Sequence, residues 1–170
     1  RLVRTKIYAQ KIERYYKQLL MKHPDSIIKE GDRIIQLSKG SYDTYKYTIW
    51  FFTYKTEISS IMGMDKAFVY FAKKYYLSGE ATWATDGIIK NMTERVTKLE
   101  RILLGNVAPN LMMLDTNNGF TSLHNISAEY TIVVFWDPDC GHCKTELPKI
   151  RDWVAGEGAE FGVKVFAVCS

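Results

Sequence analysis

The chain has 170 residues, 46% of them hydrophobic and 25% charged, with a formal net charge of +4. That is ordinary globular composition with enough apolar material for a core, in one large domain or two small ones. Lys and Arg are interleaved with Asp and Glu along the whole length, so no stretch forms a nucleic-acid or anionic-lipid footprint, and no apolar run approaches the ~20 residues that span a bilayer.

The sequence opens on Arg1-Leu2-Val3-Arg4 without an initiator Met or a signal-peptide pattern, so an export signal is expected to have been removed or to lie outside these residues. From Leu2 to Leu104 apolar residues recur at helical spacing, as in Ile12, Tyr15, Tyr16, Leu19 and Leu20, and again in Ile88, Ile89, Met92, Val96, Leu99, Ile102 and Leu103. Punctuation divides this half into five expected helices near 2–22, 25–38, 42–62, 65–77 and 82–104. Pro24 can open a helix, Gly40 closes one, Gly63 stops the third and Ser78-Gly79 the fourth. Tyr and Phe are dense between Tyr42 and Tyr76, which predicts that the third and fourth helices form the centre of an all-α bundle. No fixed period supports a tetratricopeptide-like repeat. The sequons at Asn91 and Asn125 carry no weight, because such triplets occur by chance.

At Gly105 the pattern changes, which sets the expected division at 1–104, a helical accessory domain, and 105–170. Extended chain before Pro109 leads to a short strand near 111–114, a turn at Asn117-Asn118-Gly119 and a second strand at 120–123, a β-hairpin. A short helical turn near 125–128 precedes Tyr130–Trp136, a β-branched and aromatic run that reads as a central strand buried on both faces. Residues 141–155 have helical spacing and 161–168 read as another buried strand, so strand, helix and strand imply a parallel crossover.

Three cysteines are too few for a disulfide framework, but Cys140 and Cys143 are separated by only two residues. A structural zinc site needs four ligands, and beyond this pair only Cys169, His23, His124 and His142 remain, without a second ligand pair; no metal and no cofactor are expected. Cys140 follows a strand and starts a helix, so its sulfur meets the unsatisfied N–H groups and positive dipole end of that helix, which favours the thiolate. A thiolate attacks disulfides, and Cys143, one helical turn later, is placed to resolve the mixed disulfide. Cys169 falls in the second strand and reads as a buried structural thiol. His124 borders a short helix and His23 a helix end, and neither is given a chemical role.

The stretch 105–170 resembles extracytoplasmic thioredoxin-like thiol-disulfide oxidoreductases of the TlpA/ResA type, in Gly105, Ala108, Pro109, Phe135, Trp136, Cys140 and Cys143. Pro148 matches the proline that kinks the first active-site helix, and Glu146 a glutamate three residues after the second cysteine. The resemblance implies that Cys140 attacks, Cys143 resolves and Glu146 manages protons. It also implies that Trp136 and Pro138 border the substrate, that partners are protein disulfides and a thiol-disulfide redox partner, and that the setting is the bacterial periplasm or cell envelope. Val134 stands where many thioredoxins keep a buried Asp, so a proton acceptor there is absent, while exposed Glu146 near Lys144 and Lys149 has an ordinary helix-surface reading too. His142 and Gly141 form the dipeptide also found in protein disulfide isomerase domains; a protonated imidazole stabilises the thiolate, whereas Asp137 and Asp139 oppose it, leaving the redox poise open.

By the same resemblance a complete domain needs a further helix, a cis-proline loop, two strands and a closing helix. The expected fold class is therefore two-part, a helical bundle followed by an incomplete α/β thioredoxin-like domain. Without flanking strands the run 131–136 becomes an apolar edge, which predicts self-association. Two other functions stand beside disulfide exchange: a helical interaction module with a redox-silent thioredoxin-like portion, and a peroxidase, whose P-x-x-x-[TS]-x-x-C pattern the residues before Cys140 do not supply.

Overall fold

The computed structural model describes residues 6–169, and the chain falls into two compact units, Arg1–Ala108 and Pro109–Ser170. The first contains α1 (Lys6–Gln18), α2 (Pro24–Leu37), a 3-10 turn (Ser38–Gly40), α3 (Tyr42–Glu57), α4 (Met64–Phe71), a π-helical turn (Ala72–Leu77) and α5 (Asp86–Glu100). Residues 2–5 of the expected first helix lie outside the described residues.

Pro24 heads α2, where its fixed φ suits the helix and its missing N–H is not needed. Ile27, Gly31 and Ile35, spaced by four, are the buried stripe of that helix. On α3, Ile49, Phe51 and Phe52 are buried together with Thr48, Thr53 and Thr56. The three hydroxyls donate to carbonyls one turn back, on Thr44 (2.6 Å), Ile49 (2.9 Å) and Phe52 (2.9 Å), so the threonines carry no unsatisfied polar atom into the core. Phe52, Phe68, Phe71 and Tyr75 are fully buried, each contributing roughly 1.5–3 kcal/mol by area. The aromatic density of α3 and α4 thus marks the middle of the helical unit. At its margin the carboxylate of Asp32 accepts from Lys74 Nζ and from the Tyr75 hydroxyl. Burial pushes the Asp32 carboxyl up, but these two donors and the Lys74 charge outweigh it and hold the group below its ordinary range.

Helix boundaries depart from the expected ones where capping decides. Helix α3 ends at Glu57 rather than 62, and Gly63, expected to stop it, is instead the N-cap of α4. Its φ of +82° is a conformation that glycine adopts without the Cβ penalty. Helix α5 begins at Asp86 because Thr85 Oγ1 accepts the Ile88 N–H (3.4 Å), and it ends at Glu100, leaving Ile102 exposed.

In the second unit β1 (Met112–Leu114) and β2 (Phe120–Ser122) pair antiparallel. Asn118 turns the chain at φ 59°, and the Asp115 carboxylate accepts the N–H groups of Asn117 and Gly119, both at 2.8 Å. A 3-10 turn comes next at Leu123–Asn125, two residues earlier than the expected helical turn. Then come β3 (Tyr130–Trp136), α6 (Gly141–Ala155), the short α7 (Glu157–Glu160) and β4 (Val163–Cys169). Strands β3 and β4 are parallel, in register from Tyr130↔Val163 to Trp136↔Cys169. Leu123, Phe166 and Val168 pack with Leu111, Met113, Ile126 and Val133, which joins the hairpin to one face of this sheet.

The expectation that β3 is buried on both faces is corrected by the structure. Tyr130 is 65% and Phe135 67% exposed, because the sheet has two strands and its apolar cluster is small. Phe161, expected inside the last strand, precedes it and is exposed. Among the described residues no helix is long and apolar enough to cross a membrane.

The helical unit is tightest at Gly31, where an added Cβ would lie 2.6 Å from Phe71 Cζ and 3.0 Å from Phe52 Cδ1. Ala would gain about 1 kcal/mol of helix propensity, yet overpacking two rings fixed in the core costs about 1–3 kcal/mol, so the strain prevails. Denaturant unfolding of Gly31→Ala is expected to show lower stability, while Gly40→Ala, with open space around it, changes stability by less than about 0.5 kcal/mol.

Candidate active site

Strand β3 ends at Trp136 and α6 begins at Gly141, so four residues convert extended chain into helix. They form a β-turn in which the Cys140 N–H donates to the Asp137 carbonyl (3.1 Å), with Pro138 at the position where its fixed φ suits the turn. The Asp137 side chain reinforces it, Oδ1 accepting the Asp139 N–H at 2.7 Å. Cys140 thereby becomes the N-cap of α6, in extended conformation (φ −77°, ψ 113°), where a Ser or Asp oxygen ordinarily meets the first helical N–H groups.

Cys140 and Cys143 are free thiols, both half-buried. The Cys143 thiol first, then the Cys143 N–H and, against some desolvation, the His142 N–H hold the Cys140 thiol below its ordinary pKa, with the Asp137 carboxylate pulling the other way. These contacts favour the ionised form of Cys140. The dominant contribution comes from the second cysteine, with the helix backbone next.

The other expected site residues divide into two groups. Trp136 and Pro138 lie with Asp137, Cys143, Lys144 and Leu147 along a groove of about 320 Å³ beside the pair. Trp136, Leu147 and Pro148 also line a larger groove of about 760 Å³ that continues past Ile150 and Val154 to Val165. His142 and Glu146 are exposed on α6, and the Glu146 carboxylate is engaged by Lys149 Nζ at 2.7 Å, the solvated pair of a helix surface. Pro148 stands inside α6, removing the N–H that would bond the Lys144 carbonyl.

Cys169, expected to be a buried thiol, is exposed. It is the last residue of β4, in register with Trp136, and alternation puts Phe166 and Val168, not Cys169, in the small core. Sequence reasoning does not assign Asp137 its turn contacts, nor Lys144 its place in the groove; the Asp-Pro dipeptide is the available signal for the former. Among the described residues no group of three or more His, Cys, Asp or Glu could hold a metal ion.

Residues 104–170 match the AhpC/TSA family. A solved structure of a thioredoxin-like protein from Bacteroides caccae ATCC 43185 superposes with a TM-score of 0.62 at 12% identity, covering 86% of this chain and 53% of that one. The fold is thioredoxin-like. It consists of a helical part and a partial thioredoxin-like domain, and the chain spans about half the length of that neighbour. No curated protein matches the sequence.

With Cys169→Ser as background, Cys143→Ala is expected to move the midpoint of Cys140 alkylation up toward the ordinary thiol value of about 8.5, and Cys143→Ser to move it less, since its hydroxyl still donates. Because the folded pKa lies below the unfolded one, thiolate formation favours the fold above the unfolded value, and that contribution is lost as pH falls through the folded value. Iodoacetamide rates across pH, measured by mass spectrometry, check the midpoint; an unchanged profile in Cys143→Ala would remove the second thiol from the account.

Proposed function

We propose that this protein is a thiol-disulfide oxidoreductase acting on protein disulfides outside the cytoplasm, in the bacterial periplasm or cell envelope. The observation that carries the reading is Cys140 at the start of α6, its pKa lowered, with a second thiol one turn away. The AhpC/TSA match over the same residues and the thioredoxin-like fold support redox chemistry at this position.

In the proposed reaction the Cys140 thiolate attacks one sulfur of a partner disulfide, forming a mixed disulfide and expelling the other partner sulfur as a thiolate that takes up a proton. Cys143 loses its proton and attacks the Cys140 sulfur, releasing the second partner thiolate. The pair ends as a Cys140–Cys143 disulfide and the partner as a dithiol, with two electrons transferred; the reverse sequence oxidises a partner. No cofactor is required, because the dithiol holds the electrons. The groove beside Cys143, floored by Trp136, Pro138 and Leu147, suits apolar side chains next to the partner cysteine.

The test is a glutathione redox titration of the pair combined with trapping. Wild-type chain is expected to give one reversible two-electron transition, and Cys143→Ser to accumulate a mixed disulfide at Cys140. Absence of both would leave the reading of a helical interaction module with a redox-silent portion. The AhpC/TSA match favours one further reading, peroxide reduction at Cys140. Peroxide consumption coupled to Cys140 oxidation at rates above those of free cysteine would replace disulfide exchange by that activity.

The two-stranded sheet also leaves an outer edge on β3 and on β4, with Tyr130, Phe135 and Val165 exposed beside them. Pairing of these edges with a second copy is proposed on that ground. Sedimentation velocity at rising concentration is expected to show growth beyond the monomer, and a concentration-independent monomer would contradict it.

A further inference from the structure

Asp137 holds two contacts at the turn that presents Cys140. Its carbonyl accepts the Cys140 N–H (3.1 Å) and its carboxylate Oδ1 accepts the Asp139 N–H (2.7 Å). Either a carboxylate or an amide oxygen could make the second contact, so the turn needs an acceptor and not a charge. The charge is nonetheless there, on the residue immediately after Trp136, which lines the same groove as Cys143.

We propose that Asp137 is a positioning residue with two separable effects, its oxygen locking the turn that sets Cys140 at the helix start and its negative charge restraining the nucleophile it positions. This rests on the reading of Cys140 as the attacking thiol. The opposing direction of the Asp137 charge on the Cys140 ionisation agrees with it. The other groups at this end are Cys143 and His142 on α6, Asp139 in the turn, Lys144 on the same groove and Cys169 at the end of β4 beside Trp136. Lys144 is the cation among them, and its backbone N–H donates to the Cys140 carbonyl (3.2 Å) within the helix. A fixed anion at this place shifts the balance of the pair away from the thiolate and toward forms without a second negative charge, which regulates how readily the dithiol attacks.

The two effects separate by substitution in the full chain. Asp137→Asn keeps an acceptor oxygen and removes the charge; Asp137→Ala removes both. In a Cys169→Ser background the pH midpoint of Cys140 alkylation is expected to move down in Asp137→Asn, where the turn is kept, so that the thiolate fraction at pH 6 rises about twofold. Hydrogen exchange of the Asp139 amide is expected to stay slow in Asp137→Asn and become fast in Asp137→Ala alone. An unchanged midpoint in Asp137→Asn overturns the charge effect, and equal Asp139 exchange in wild type and Asp137→Ala overturns the locking effect. Selective reaction of wild-type Cys140 with glutathione disulfide is measured alongside. Its loss would sink the redox reading itself, whereas its presence with no response to Asp137 would sink only this inference.

Discussion

Seven residues of β3 lie beside seven residues of β4 in parallel register, and the helix between them must return the chain to the starting end of the sheet. That constraint puts the exit of β3, the entry of α6 and the exit of β4 at one end of a small sheet. Cys140 can serve as an N-cap only because Trp136 ends a strand whose direction is fixed by this pairing. The turn at Asp137, the groove along Trp136 and the exposed position of Cys169 all depend on the same geometry.

The helical unit rests on a different principle, close packing of large rings. Phe52 and Phe71 approach to 5.7 Å between ring centroids, and Phe71 and Tyr75 to 6.3 Å, with Gly31 leaving room for the first two. Tyr75 is fully buried yet keeps its hydroxyl on Asp32, so the core extends to a polar margin without an unsatisfied group. Burial first, and then this hydrogen bond to a carboxylate, push the Tyr75 hydroxyl well above its ordinary pKa, which keeps it a donor at every physiological pH.

Much of this is legible in the sequence where one local rule acts alone. The strand at 130–136 and the helix at 141–155 are where a continuous β-branched and aromatic run and helical spacing put them, and Pro24 heads its helix. The features that escape sequence reasoning depend on backbone conformation, side-chain rotamer and the number of layers that cover an element. Gly63 has the same composition signal whether it ends one helix or begins the next, and only the ending of α3 at Glu57, ahead of the start of α4 at Met64, distinguishes them. Apolar residues in β3 and β4 predict burial, but burial depends on how many layers cover a strand, which the strand itself does not encode. The spacing and context of Cys140 and Cys143 are legible; the acceptor role of Asp137 requires the turn geometry, and of the two lysines the sequence sets near Glu146 only the rotamer shows that Lys149 engages it.

The π-helical turn at Ala72–Leu77 bears on how this helix can change in length. A wider turn accommodates one more residue than an α-turn over the same axial distance, so it acts as an insertion carried inside a continuous helix. Removing that extra residue would let the backbone close as an ordinary α-turn and leave the residues on either side of the segment on their present faces. Tyr75 and Tyr76, buried inside the segment, are the side chains that would have to be re-aimed. A one-residue change of length is thus absorbed locally, and its cost falls on the Tyr75 contact to Asp32 and not on Met64–Phe71.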